Sequence, residues 1–246
     1  MDANILVGPL TQIIRLISKI YNCLKYNSYM QLKQLFDEFD ELQKIYGNEN
    51  LDAIYGCGEI NNPDISLIFM NPTARNVSSN KQWAGLKAPW IGTKNIWKML
   101  QQLGLINKEL VDKISNKKPS EWNYKFAEEV YREVCNNSLY ITNLSKATQS
   151  DASPLKNAVF KSYMDLLKKE LSIIKPKIII VFGNQVSSIL LNKNIKVSDY
   201  RKKHEFIEID DTKLKVFPVY YPIGQGMRNI GAAKEDIQWI LENEKY

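Results

Sequence analysis

Two asparagines and a tyrosine stand where short apolar runs give way to polar sequence. Asn71 follows Ile65–Met70, Asn143 follows Leu139–Thr142, and Tyr221-Pro222 follows Val216–Tyr220. A fourth run, Ile178–Phe182, leads into Gly183-Asn184-Gln185. A carboxamide offers N–H donors and an acceptor oxygen in one plane. It can match a carbonyl and a ring N–H side by side, as on a pyrimidine edge. A tyrosine hydroxyl, with an ordinary pKa of about 10, is a neutral donor at neutral pH. Trp90, in Ala88-Pro-Trp-Ile-Gly92, supplies a flat apolar face, and the cations Lys146 and Arg228 lie just downstream of Asn143 and Tyr221. Each residue also has a plainer reading. Asparagine caps turns at strand ends, tryptophan is mostly a buried residue with Trp83 and Trp97 nearby, and lysine and arginine are most often solvated charges. His204 lies in a polar segment and reads as a surface residue, and Cys57 is given no role.

These residues need elements that bring strand ends together. The four apolar runs suit strands buried on both faces. Helical spacing separates them at Ile96–Leu105, Trp122–Val134, Phe160–Ile174, Asn184–Leu191 and Ala232–Asn243. Ahead of them, Ile13, Ile14, Ile17, Ile20, Tyr21 and Leu24, then Leu32, Leu35, Phe36, Phe39, Leu42 and Ile45, predict two helices between Thr11 and Tyr46, closed by Gly47-Asn48. The segment Lys193–Lys213 reads as a surface loop or small hairpin. The expected fold is α/β, a three-layer sandwich with a central, mainly parallel four-stranded sheet and an N-terminal helical extension. Residues 1–50 are that extension, packed on an α/β domain of residues 51–246. In such sheets ligands sit beyond the carboxyl ends of the strands, where Asn71, Asn143 and Tyr221 fall.

A chain of 246 residues, 44% apolar, can bury a sizeable core in one domain. Its net charge of +6 is compatible with a polyanionic partner. Three scattered cysteines, Cys23, Cys57 and Cys135, form no CxxC pair, which gives no zinc or iron–sulfur signature and fits reduced thiols in the cytoplasm. The apolar N-terminal stretch is interrupted by Arg15 and Lys19, so it reads as an amphipathic helix rather than a membrane anchor.

Taken in order, these motifs resemble the uracil-DNA glycosylase superfamily. Gly56-Cys-Gly-Glu59, a strand and Met70-Asn-Pro-Thr73 are similar to its first motif, in which an Asn positions the attacking water. Ala88-Pro-Trp-Ile-Gly92 is similar to its Pro-Phe-x-Gly segment, whose ring stacks on the flipped base. Tyr140-Ile-Thr-Asn-Leu-Ser-Lys146 resembles its strand ending in Thr-Asn-x-x-Lys, where the Asn reads the pyrimidine edge, and Lys175-Pro176, an apolar strand and Gly183 match its third strand. Val219-Tyr-Tyr-Pro222 with Arg228 resembles its His-Pro-Ser loop. The likeness runs from about Tyr55 to the C-terminus. Three positions depart from the pattern. Tyr221 replaces the His, Thr73 the final Gly, and Ala147 the cysteine found in the iron–sulfur branch.

The resemblance implies a DNA glycosylase that hydrolyses the N-glycosidic bond of uracil, or a related deaminated base, flipped out of DNA. Asn71 and Tyr221 would be catalytic. Trp90, Asn143, Met70 and Pro72 would bind the substrate, and Lys146 and Arg228 the DNA. The protein would act as a monomer without a metal or other cofactor. With Tyr for His and Thr for Gly, a base-binding module of the same fold that does not cut is the alternative, and a glycosylase for another lesion is a third reading.

Overall fold

The computed structural model describes the backbone of residues 7–153 and 155–244, and the side chains from residue 26 onward except 154, 225, 245 and 246. The expected apolar stripe from Ile13 to Leu24, with Arg15, Lys19 and Cys23, involves side chains outside the described residues. Among the described residues six strands form one sheet: β1 (Cys57–Gly58), β2 (Ile65–Phe69), β3 (Leu139–Asn143), β4 (Ile178–Phe182), β5 (Glu205–Ile209) and β6 (Thr212–Val219). Their spatial order is β1-β3-β2-β4-β6-β5.

The expected four strands are the inner part of this sheet, where β3, β2, β4 and β6 are all parallel. The sheet as a whole is mixed, because β1 pairs antiparallel with β3 and β5 antiparallel with β6. Neither edge strand carries a continuous apolar run. β1 has two residues, and β5 leaves residues on its outer face partly open to solvent. The segment Lys193–Lys213 therefore contains a hairpin arm. Its turn is Asp210-Asp211, both with positive φ (47° and 61°), the backbone that a two-residue hairpin loop requires.

The helices are α1 (Val7–Tyr46), α2 (Asn95–Gln102), α3 (Lys108–Asn116), α4 (Tyr124–Asn136), α5 (Asn157–Ser162), α6 (Met164–Ile174), α7 (Asn184–Leu190) and α8 (Ile230–Asn243). The two helices expected at the N-terminus are one, since no Gly or Pro between Leu24 and Leu32 stops the pattern. No helix of the described residues is long and apolar enough to cross a membrane.

Side-chain alternation along the strands builds the three layers. Ile65, Leu67 and Phe69 join Ile141, Ile180 and Phe182 beneath α2, α3, α4 and α8. Ile68, Tyr140, Ile179 and Val181 face the other way, under α1, α6 and α7. Leu32, Leu35 and Phe39 of α1 are buried in that second core.

Candidate functional site

The parallel pairing of β2 with β3 continues past both strands. Phe69 stands opposite Asn143 in register. Beyond that point the Leu144 amide donates to the Phe69 carbonyl at 2.8 Å and the Ser145 amide to the Met70 carbonyl at 3.0 Å. The Gln149 amide then donates to the Pro72 carbonyl (3.1 Å), and the Ala74 amide returns a bond to the Gln149 carbonyl (2.8 Å). Two loops that diverge in sequence are thus stitched together, and Asn71 and Asn143 lie on the same wall.

A second wall is the segment Lys87–Ile91, in which every carbonyl accepts a hydrogen bond. The Lys87 carbonyl accepts from the Tyr55 amide, that of Ala88 from the buried Asn76 and Ser78 side chains, and that of Pro89 from the Tyr131 hydroxyl at 2.6 Å. The Trp90 carbonyl accepts from the Thr93 amide and hydroxyl and from the Trp97 indole, and that of Ile91 from the Val77 amide. This satisfaction of the backbone holds Trp90 at φ 65°, a left-handed conformation that costs a bulky residue roughly 1–3 kcal/mol.

The third wall follows β6. Tyr221 leaves the sheet there, and a 3₁₀ turn, Gly224–Asn229, folds back over it. Gly226 is required by contact, because a Cβ at this position would run into the Tyr221 carbonyl.

Between the walls lies a cavity of about 330 Å³ lined by Met70, Asn71, Pro72, Trp90, Asn143 and Tyr221, with Thr73, Arg75, Thr93, Lys94, Ser153 and Ile223 among the others. Behind it Phe69 organises the aromatic rings. It stacks on Phe182 (4.3 Å between centroids, 10°) and meets Trp90 and Tyr221 edge-on at 4.9 and 6.3 Å. Asn143 is 2% exposed and lines the cavity, and its carboxamide makes no hydrogen bond among the described residues. Asn71 donates through Nδ2 to the Pro72 carbonyl at 3.1 Å. The side chain that caps the following turn is Asn76, which accepts from the Ser78 amide. Burial pushes the Tyr221 phenol up to about 12, so it remains protonated, a donor, throughout the neutral range.

The family model of the uracil DNA glycosylase superfamily matches residues 56–241. The chain belongs to this superfamily. A search of curated proteins finds no match to it.

Six of the site residues expected from the sequence of this superfamily member therefore share one cavity, and two do not. Lys146 cannot touch a phosphate. Its side chain is 0% exposed and its Nζ is 2.6 Å from the Glu170 carboxylate. It also donates to the Thr142 hydroxyl (2.7 Å) and the Asn143 carbonyl (2.6 Å) and lies over the Phe39 ring. Burial lowers its pKa from the ordinary lysine value, and the Glu170 charge opposes the fall. Arg228 is exposed, on the turn that follows the cavity wall. Sequence reasoning missed Phe69, which sits inside an apolar strand and has no polar atom to draw notice. It also missed Arg75, an exposed cation at the cavity two residues past Thr73, although its place beyond a strand end was the available signal.

Proposed function

We propose that the protein is a DNA glycosylase that hydrolyses the N-glycosidic bond of uracil, or of a related deaminated base, rotated out of DNA. The observation that carries this reading is the meeting of Asn71, Trp90, Asn143 and Tyr221 in one cavity of a uracil DNA glycosylase superfamily chain. The protein acts as a monomer on DNA in the cytoplasm.

Extruding a base from duplex DNA costs on the order of a few kcal/mol, and stacking on Trp90 returns roughly 1–3 kcal/mol. The Asn143 carboxamide, unpaired inside the protein, takes the pyrimidine edge. Cleavage of the C1′–N1 bond leaves a cationic sugar and an anionic base. The Tyr221 hydroxyl donates to the departing O2 oxygen, where charge develops, and so favours the transition state over the ground state. Asn71 holds the water that attacks C1′, and the proton this water sheds neutralises the departing base anion, which leaves as the free base. An amide is no base, so it acts through position, and the rate rests on stabilising the leaving group. Arg75 and Arg228, both exposed, contact phosphates. None of these steps uses a metal ion or other cofactor.

A second reading, a base-binding module that does not cut, is favoured by one observation: Tyr221 stands where the superfamily's motif has His. Detection of free base separates the two. Glycosylase action releases uracil from a uracil-containing duplex in chelator-treated protein, whereas a binding module retains the intact strand.

A further inference from the structure

Behind the Asn143 wall is a polar cluster that the cavity chemistry does not use. The Glu170 carboxylate, 1% exposed on α6, accepts from Tyr140 (2.8 Å) and Thr142 (2.9 Å) through one oxygen and from Lys146 (2.6 Å) through the other. Lys146 spends its remaining donors on the Thr142 hydroxyl and the Asn143 carbonyl. Gly56 packs against the cluster from β1's approach, and a Cβ there would strike Glu170 and the Tyr140 hydroxyl. Phe39 of α1 closes it from the helical side. A buried ion pair is poor evidence for stability, because desolvation offsets its attraction. What this pair does is fix geometry. It ties three residues of β3 (Tyr140, Thr142 and Asn143) to α6 at the point where the strand ends, and Asn143 has no side-chain bond of its own.

We propose that Lys146 and Glu170 are positioning residues that set the orientation of Asn143, so that selectivity for the base edge is governed from behind the cavity. The inference rests on Asn143 being the base reader. Substituting both charges together by apolar residues, K146M/E170L, leaves no unpaired buried charge, at the cost of the acceptor for the Tyr140 and Thr142 hydroxyls, and removes the donor to the Asn143 carbonyl.

The test measures binding of a duplex carrying 2′-fluoro-2′-deoxyuridine, whose glycosidic bond resists cleavage, against the same duplex carrying 2′-fluoro-2′-deoxycytidine. Wild type, N143A and K146M/E170L are compared. The expected result is that N143A and the double variant each lose about tenfold in discrimination, as for one bidentate contact to a base edge, while affinity for undamaged duplex is unchanged. Discrimination kept by the double variant but lost in N143A overturns the positioning role alone. Discrimination kept in N143A overturns the reading of Asn143 itself. If the double variant does not fold, K146M/E170Q, which is uncharged, keeps an acceptor oxygen for the Tyr140 and Thr142 hydroxyls and still lacks the donor to the Asn143 carbonyl, decides by the same ratio, with full discrimination counting against the proposal.

Discussion

Trp90 meets the edge of Phe69 with ring centroids 4.9 Å apart and planes at 75°. The contact fixes the indole at the cavity wall, and its N–H is buried there with no partner among the described residues. That unsatisfied donor is a cost. Trp90→Phe removes it and keeps a ring. The expectation is unchanged or slightly raised stability in urea denaturation, with base binding retained. Trp90→Ala loses the stacking face, and affinity for a flipped base falls by roughly 1–3 kcal/mol. Equal affinity in the alanine variant would show that the ring only packs.

Tyr221→Phe deletes one hydroxyl and leaves the ring. A preorganised donor of this kind is worth roughly a hundred- to a thousandfold in rate, and single-turnover excision with saturating enzyme reads the chemical step. Loss of water around the half-buried ring pushes the folded-state phenol up to about 12. Its donor function is therefore complete at neutral pH and is lost only as pH rises toward 12. Likewise, the stability linked to its protonated form is present below about pH 10 and is lost between 10 and 12. A rate that falls with a Tyr221-dependent pKa near 10 would contradict this placement.

Removing Arg228 or Arg75 lowers the slope of log K against log salt by about 0.9 for every duplex phosphate that the side chain neutralises. Both are exposed. Substitutions at Lys146 leave the slope unchanged, since its ammonium is enclosed. Filter-binding titrations across a salt series make the comparison.

Glu170→Ala strands a buried cation. The expected loss of stability in urea unfolding is about 3–5 kcal/mol, with most of it recovered when Lys146 is also made apolar. Equal stability of Glu170→Ala and wild type would mean that Lys146 sheds its proton or reaches solvent without effort.

The inner strands were legible because Ile65–Phe69, Leu139–Asn143 and Ile178–Phe182 are buried on both faces and so read as apolar runs. α3 escaped notice because it buries only Leu110, Val111 and Ile114, too few to establish a period. Asn71, Asn143 and Tyr221 were visible because strand ends announce themselves by a change of composition. The burial of Lys146 was not visible. Its partner Glu170 lies on another element, and an isolated lysine in sequence gives no sign of a carboxylate waiting inside the fold.

The most direct measurement is alkaline cleavage at abasic sites after incubating chelator-treated protein with oligonucleotides that carry one uracil, single-stranded or paired with G or A. Breaks are predicted at the uracil position and nowhere else. With Asn143→Ala they should fall by about ten- to a hundredfold, from the loss of a bidentate contact worth roughly 1–3 kcal/mol, while thermal stability stays close to wild type because that carboxamide holds nothing inside the protein. No breaks with wild-type protein on any of the three substrates would contradict the account.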